Sequence, residues 1–176
     1  MVAVVQNPEA LKRLFSGITE QTFATELGIA DPPLVDYLSD LLMRFIRCDA
    51  LFRLRDVVGR RLEDVAEMLW EGNQRQGSAR REVYRHIGDF TLFWTGVYPE
   101  ALRHLQGATT RDSLLDYTAQ GKRSYRIAGE FDTAPYADEA PVLMRLADEF
   151  ELCSIGLRKV RNEWERVEQN GGDSPS

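Results

Sequence analysis

Apolar positions recur at intervals of three and four over most of the chain, and no stretch alternates apolar and polar residues as a half-buried strand would. Leu34, Leu38, Leu41, Phe45 and Cys48 form one face of a helix that Asp31 and Pro32 open, a capping carboxylate followed by a residue with no amide hydrogen to leave unpaired. Val83, Ile87, Phe90 and Trp94 form a second inward stripe, expected to run from a cap at Ser78 to a stop at Gly96, just before Pro99. A shorter helix from Pro99 to Leu105 follows. Upstream, Asn7-Pro8-Glu9 predicts a short helix ending near Ser16-Gly17, and Thr19 a second ending near Gly28. Leu62, Val65 and Leu69 predict another that stops near Glu71-Gly72-Asn73. Leu51 to Arg61 is less regular and Gly59 interrupts it.

Thr109 and Asp112 have capping-box spacing and predict a helix of about 18 residues through Leu115, Ala119 and Tyr125, weakened by Gly121 and ended by Gly129. Residues 130–141 read as a loop. The strongest periodicity comes last: Leu143, Leu146, Phe150, Cys153, Leu157, Val160 and Trp164 alternate three and four apart, the signature of a narrow seam along a partner helix. That partner is another helix of the chain, a second copy across a dimer, or both. The expectation is an all-α protein, an irregular helical bundle with a long C-terminal helix. It forms one domain over residues 1–168, with a disordered tail at 169–176.

Charge changes the picture only locally. The chain of 176 residues has a formal net charge of -6, from 22 basic and 28 acidic side chains, and the excess arises in residues 130–176. An acidic helix face is the ordinary meaning, and a dock for a basic partner the functional one. Such a balance gives no general attraction to nucleic acid or to an anionic membrane. RLRDVVGRR, residues 53–61, carries four arginines but is broken by Asp56 and followed by Glu63 and Asp64, so no nucleic-acid role is expected. No run reaches membrane-spanning length and no leader pattern opens the chain, so a cytoplasmic protein with no membrane contact is expected. Cys48 and Cys153 fit no metal or disulfide spacing and read as small buried thiols.

Candidate chemistry gathers around His86. On a helix it lies four residues after Glu82 and three before Asp89, where a carboxylate can fix an imidazole for acid–base work or simply satisfy it in a core. Neither His86 nor His104 has a Glu three residues before it, which excludes the bundle di-iron pattern. Tyr98 sits at the turn after the aromatic helix, while Tyr117, Tyr125 and Arg126 lie on the helix that returns across it. A buried phenol needs a partner for its hydroxyl, and Asp89, Glu100 or Arg126 can supply one. These residues predict either a polar network that holds two helices together or a small-ligand pocket. GKRSYR lacks the spacing of a phosphate-binding loop.

GDFTLFWTGVYPE, followed about twenty residues later by DYTAQGKRSYRIAG, resembles a pattern in uncharacterised bacterial helical proteins. The matching positions are Gly88, Asp89, Gly96, Pro99 and Glu100, then Tyr117, Gly121, Ser124 and Tyr125, all within residues 86–129. The resemblance implies no activity, but it directs attention to Asp89, Tyr117 and Tyr125.

Two functions are therefore expected. The first is a non-enzymatic helical protein acting through protein–protein contacts or self-association along Leu143, Leu146, Phe150, Leu157, Val160 and Trp164. The second is a small-ligand binder or enzyme using His86, Asp89, Tyr98, Tyr117, Tyr125 and Arg126. No catalytic residue, metal or cofactor is assigned by either.

Overall fold

The computed structural model describes residues 8–46, 64–107 and 110–171. RLRDVVGRR, Cys48, Thr109 and the last five residues, on all of which sequence expectations fell, lie outside the described residues. The helices are α1 (Pro8–Glu26), α2 (Pro32–Ile46), α3 (Val65–Gln74), α4 (Gly77–Gly96), α5 (Leu102–Leu105), α6 (Tyr117–Gly129), α7 (Ala140–Asp148) and α8 (Phe150–Gly171), with a 3-10 turn at Pro99–Ala101 running into α5. The protein is an all-α, irregular bundle with a long C-terminal helix, and no strand occurs among the described residues.

Helix α4 is the axis on which four of the other helices pack. Every residue from His86 to Phe93 is buried, as expected of a helix covered on all sides. It packs against α2, α3, α6 and α8. The approach of α6 is very close because Gly88 leaves room for an aromatic ring: a Cβ there would lie 2.6 Å from the ring of Tyr125. Gly121 of α6 plays the reciprocal part against Thr91 and Phe150.

Three local expectations change. Residues 8–26 form one helix rather than two. Gly17 costs about 1 kcal/mol of helix propensity, but Phe15, Ile18, Thr22 and Phe23 are all buried along one face spanning it, and that burial outweighs the glycine. Asp112 does not open the following helix either. Asp116 caps α6 by accepting from Ala119 N at 3.1 Å, so α6 starts at Tyr117. Finally, the C-terminal seam is bent at Glu149, where α7 ends and α8 begins. Helix α8 then continues to Gly171, three residues into the segment expected as tail.

The seam faces inward. Leu143, Leu146, Phe150, Cys153, Leu157 and Val160 are buried within the single chain, and α8 packs on α1 and α4. Trp164 meets Phe15 of α1 edge-on, ring centres 5.3 Å apart. The periodicity that singled out these positions is satisfied by helices of the same chain.

Candidate functional site

The middle of α4 carries Asp89, whose carboxylate is 1% exposed. Burying a charge is costly unless it is paired and hydrogen-bonded, and three side chains from two other helices meet that demand. Tyr37 of α2 donates its hydroxyl to Oδ1 at 2.6 Å, and Tyr125 of α6 donates to the same oxygen at 2.7 Å. Arg44 of α2 donates from Nη1 to Oδ2 at 3.2 Å. Tyr37 and Arg44 are seven residues apart, two helical turns, so α2 presents both on one side. Burial, then the charge of Asp89, push both phenols well above their ordinary value of 10.0, so they stay protonated donors. The arrangement clamps α2, α4 and α6 around one carboxylate.

A second layer of charge surrounds the clamp. Arg85, one turn before Asp89, pairs with Glu139 at 2.7 Å and Glu82 at 3.7 Å. Arg81, itself buried, reaches Glu82 at 2.7 Å and Glu139 at 3.4 Å, and its guanidinium lies 4.1 Å from the centre of the Tyr136 ring. The guanidinium groups of Arg44 and Arg85 lie 5.9 and 5.5 Å from the Tyr37 ring centre. Three arginines thus face three carboxylates, and Arg81 and Arg85 tie the end of the loop before α7 to α4 through Glu139.

Of the six residues expected at a ligand site, Asp89 and Tyr125 are bonded to each other, and the other four make different contacts. His86 is buried with its ring stacked on Phe45 (5.9 Å) and tilted to Phe90 (6.1 Å). Tyr98 lies beyond the far end of α4, edge-on to Phe93, with Arg161 of α8 over its ring at 4.6 Å. Tyr117 donates to Asp112 instead. Arg126 is exposed and pairs with Asp148 at 3.5 Å. Tyr37 and Arg44 were not expected; they flank the apolar stripe of α2, and the signal that marks them is their own two-turn spacing beside it.

Asp112 forms a separate polar centre. Buried in the turn before α6, it accepts from the backbone N–H groups of Val65 and Ala66, both at 2.9 Å. Asp64 caps the same helix by accepting from Glu67 N at 2.8 Å. Two carboxylates therefore satisfy the free amides of the α3 N-terminus, one of them from a distant part of the chain. Cys153 is buried in the core, and burial pushes its thiol up to about 12, which keeps it protonated and unreactive at neutral pH.

The described surface also contains a cleft of about 200 Å³ where α1 turns into α2. Glu20 and Ala24 of α1 form one wall, Val35 and Asp36 of α2 the other, with Ile29 between them. Among the described residues no group of three or more potential ligands stands ready for a metal ion, and no helix is long and apolar enough to cross a membrane. No family model matches the chain, and neither curated proteins nor solved structures give a match.

Proposed function

We propose that the chain is a non-enzymatic helical protein that acts through protein–protein contacts, self-association included. The observation that carries this reading is where large apolar side chains remain in water. Trp70 on α3 is 67% exposed and Leu114, in the turn before α6, is 96% exposed. The pair between Arg111 and Glu67 joins the two segments, and Glu67 precedes Trp70 by about one turn of α3. An indole and a leucine left exposed on adjoining segments favour a partner surface, since tryptophan is a typical anchor of such contacts.

The other reading is a small-ligand or catalytic pocket around His86, Asp89, Tyr98 and Tyr125. It has less support, because Tyr98 sits apart and both oxygens of Asp89 are engaged by side chains of the fold. The proposal is tested by sedimentation velocity over a wide concentration series, for the wild type and for Trp70→Ser/Leu114→Ser. Association that grows with concentration and disappears in the double variant, at unchanged melting temperature, is the expected result. A wild-type protein that stays monomeric throughout, or associates equally well without these side chains, overturns self-association through this surface.

A further inference from the structure

We propose that the cleft between α1 and α2 binds an alkylammonium group, a primary amine at the end of a short aliphatic stem. Two carboxylates of the cleft, Glu20 on the α1 wall and Asp36 on the α2 wall, are exposed, and no hydrogen bond or ion pair within the described structure uses either. The third, Asp31, is spent: it accepts from Leu34 N at 3.3 Å as the cap of α2 and pairs with Arg145 of α7. Its charge answers the partial positive charge of the α2 N-terminus, so the two free carboxylates set the sign of the cleft.

Among the described residues no basic side chain lines the cleft. Arg145 of α7 is held by Asp31 and by Glu149 at 2.9 Å, and Lys12 is drawn to Asp40 further along the α1–α2 pair. Apart from the carboxylates the described lining is apolar, with Ala24, Ile29 and Val35 offering a surface for methylene groups. At about 200 Å³ the space is smaller than the ~300–1,000 Å³ usual for drug-sized ligands. A single ammonium head with a stem of a few carbons meets all three conditions: positive charge, apolar stem, small volume. Two sources carry that group, a free small amine and the side chain of a lysine on another protein.

The test is a titration of the full chain followed by amide chemical shifts, using n-butylammonium, Nα-acetyl-lysine methylamide and, as the uncharged control, 1-butanol. Binding by either amine with shifts centred on residues 20–36, absent with butanol and weakened by salt, is the expected result. Loss of one exposed ion pair lowers affinity by about two- to fivefold, so Glu20→Gln/Asp36→Asn should weaken binding by about tenfold. Both side chains are exposed and without partners among the described residues, so the variant keeps its circular dichroism and melting temperature. Preference for n-butylammonium assigns the cleft to a free amine, and preference for the capped lysine assigns it to a protein side chain. Equal shifts with butanol, no shift with either amine, or undiminished binding in the double variant overturns the proposal.

Discussion

Replacing Asp89 by Asn changes almost no volume and removes the charge on which three helices converge. The amide oxygen can still accept from Tyr37 and Tyr125, but as neutral bonds, and the amide nitrogen turns two donor hydrogens toward the Arg44 guanidinium. Hydrogen bonds to a charged group contribute about 1.5–3 kcal/mol each against about 0.5–1.5 kcal/mol for neutral ones. The two phenols therefore lose about 1 kcal/mol each, and the pair with Arg44 adds about 1–2 kcal/mol. The total, about 3–4 kcal/mol, matches the usual cost of breaking a buried ion pair by removing one partner, ~3–5 kcal/mol. For a chain of this size each kcal/mol moves the melting temperature by about 2–4 °C, so a fall of roughly 6–16 °C is expected. Urea unfolding followed by circular dichroism gives the free energy at constant m value. Tyr125→Phe alone should cost about 1.5–3 kcal/mol and clearly less in the Asp89→Asn background, a coupling that a double-mutant cycle measures. Asp89→Leu combined with Tyr37→Phe and Tyr125→Phe removes every polar group of the clamp except Arg44. Because the Arg44 side chain is 27% exposed and can turn to water, this triple variant should recover part of the loss. A cost below about 1 kcal/mol for Asp89→Asn, or strict additivity with Tyr125→Phe, would refute the reasoning.

Two further outcomes follow from the same region. Gly88→Ala places a methyl group 2.6 Å from the Tyr125 ring, which its bond to Asp89 prevents from moving aside, so the variant should lose about 1–3 kcal/mol by overpacking; a neutral effect on the urea midpoint contradicts the tight α4–α6 contact. Tyr37, Tyr125 and Tyr117 all have folded values above the unfolded value of about 10. Their contribution is fully present below pH ~10 and is lost as the pH rises beyond it, by about 1.4 kcal/mol per pH unit for each phenol. Urea midpoints measured from neutral to alkaline pH should fall steeply above pH ~10, and less steeply in Tyr37→Phe/Tyr125→Phe; a flat profile would show that the phenols ionise freely in the folded protein.

Much of this architecture was legible before any coordinates. The stripes on α2, α4 and α8 are long and regular, and each lies inside as its spacing predicts. Asp89 and Tyr125 stood out as polar groups at positions a core would not tolerate without partners. Their partners were harder to see. Tyr37 and Arg44 flank a stripe that reads as wholly apolar, and which helix comes to face Asp89 is settled by packing between elements far apart in sequence. The capping-box spacing of Thr109 and Asp112 misled for a related reason: Asp112 accepts from backbone amides of α3, forty-six and forty-seven residues away. Local spacing does not distinguish a cap for the next helix from a cap for a distant one. The bend at Glu149 has no glycine or proline to announce it, so the seam read as one straight helix.

The contact between Gly88 and Tyr125 also bears on which alignments of the chain are open to it. Because α4 and α6 run in opposite directions, with Gly88 against Tyr125 and Thr91 against Gly121, sliding α6 by one turn would bring Tyr125 opposite Tyr84 or Leu92, both buried side chains with bulk where the glycine has none. The same slide would offer Gly121 or Gly129 to Gly88, and neither carries a hydroxyl to replace the one Asp89 loses. An apolar seam alone forgives such a slip, since one leucine contacts much like the next. Here a notch and a charge reject the same wrong alignments by unrelated means, steric exclusion and an unmet acceptor, so the helix pair can settle in one position along its length and in no neighbouring one.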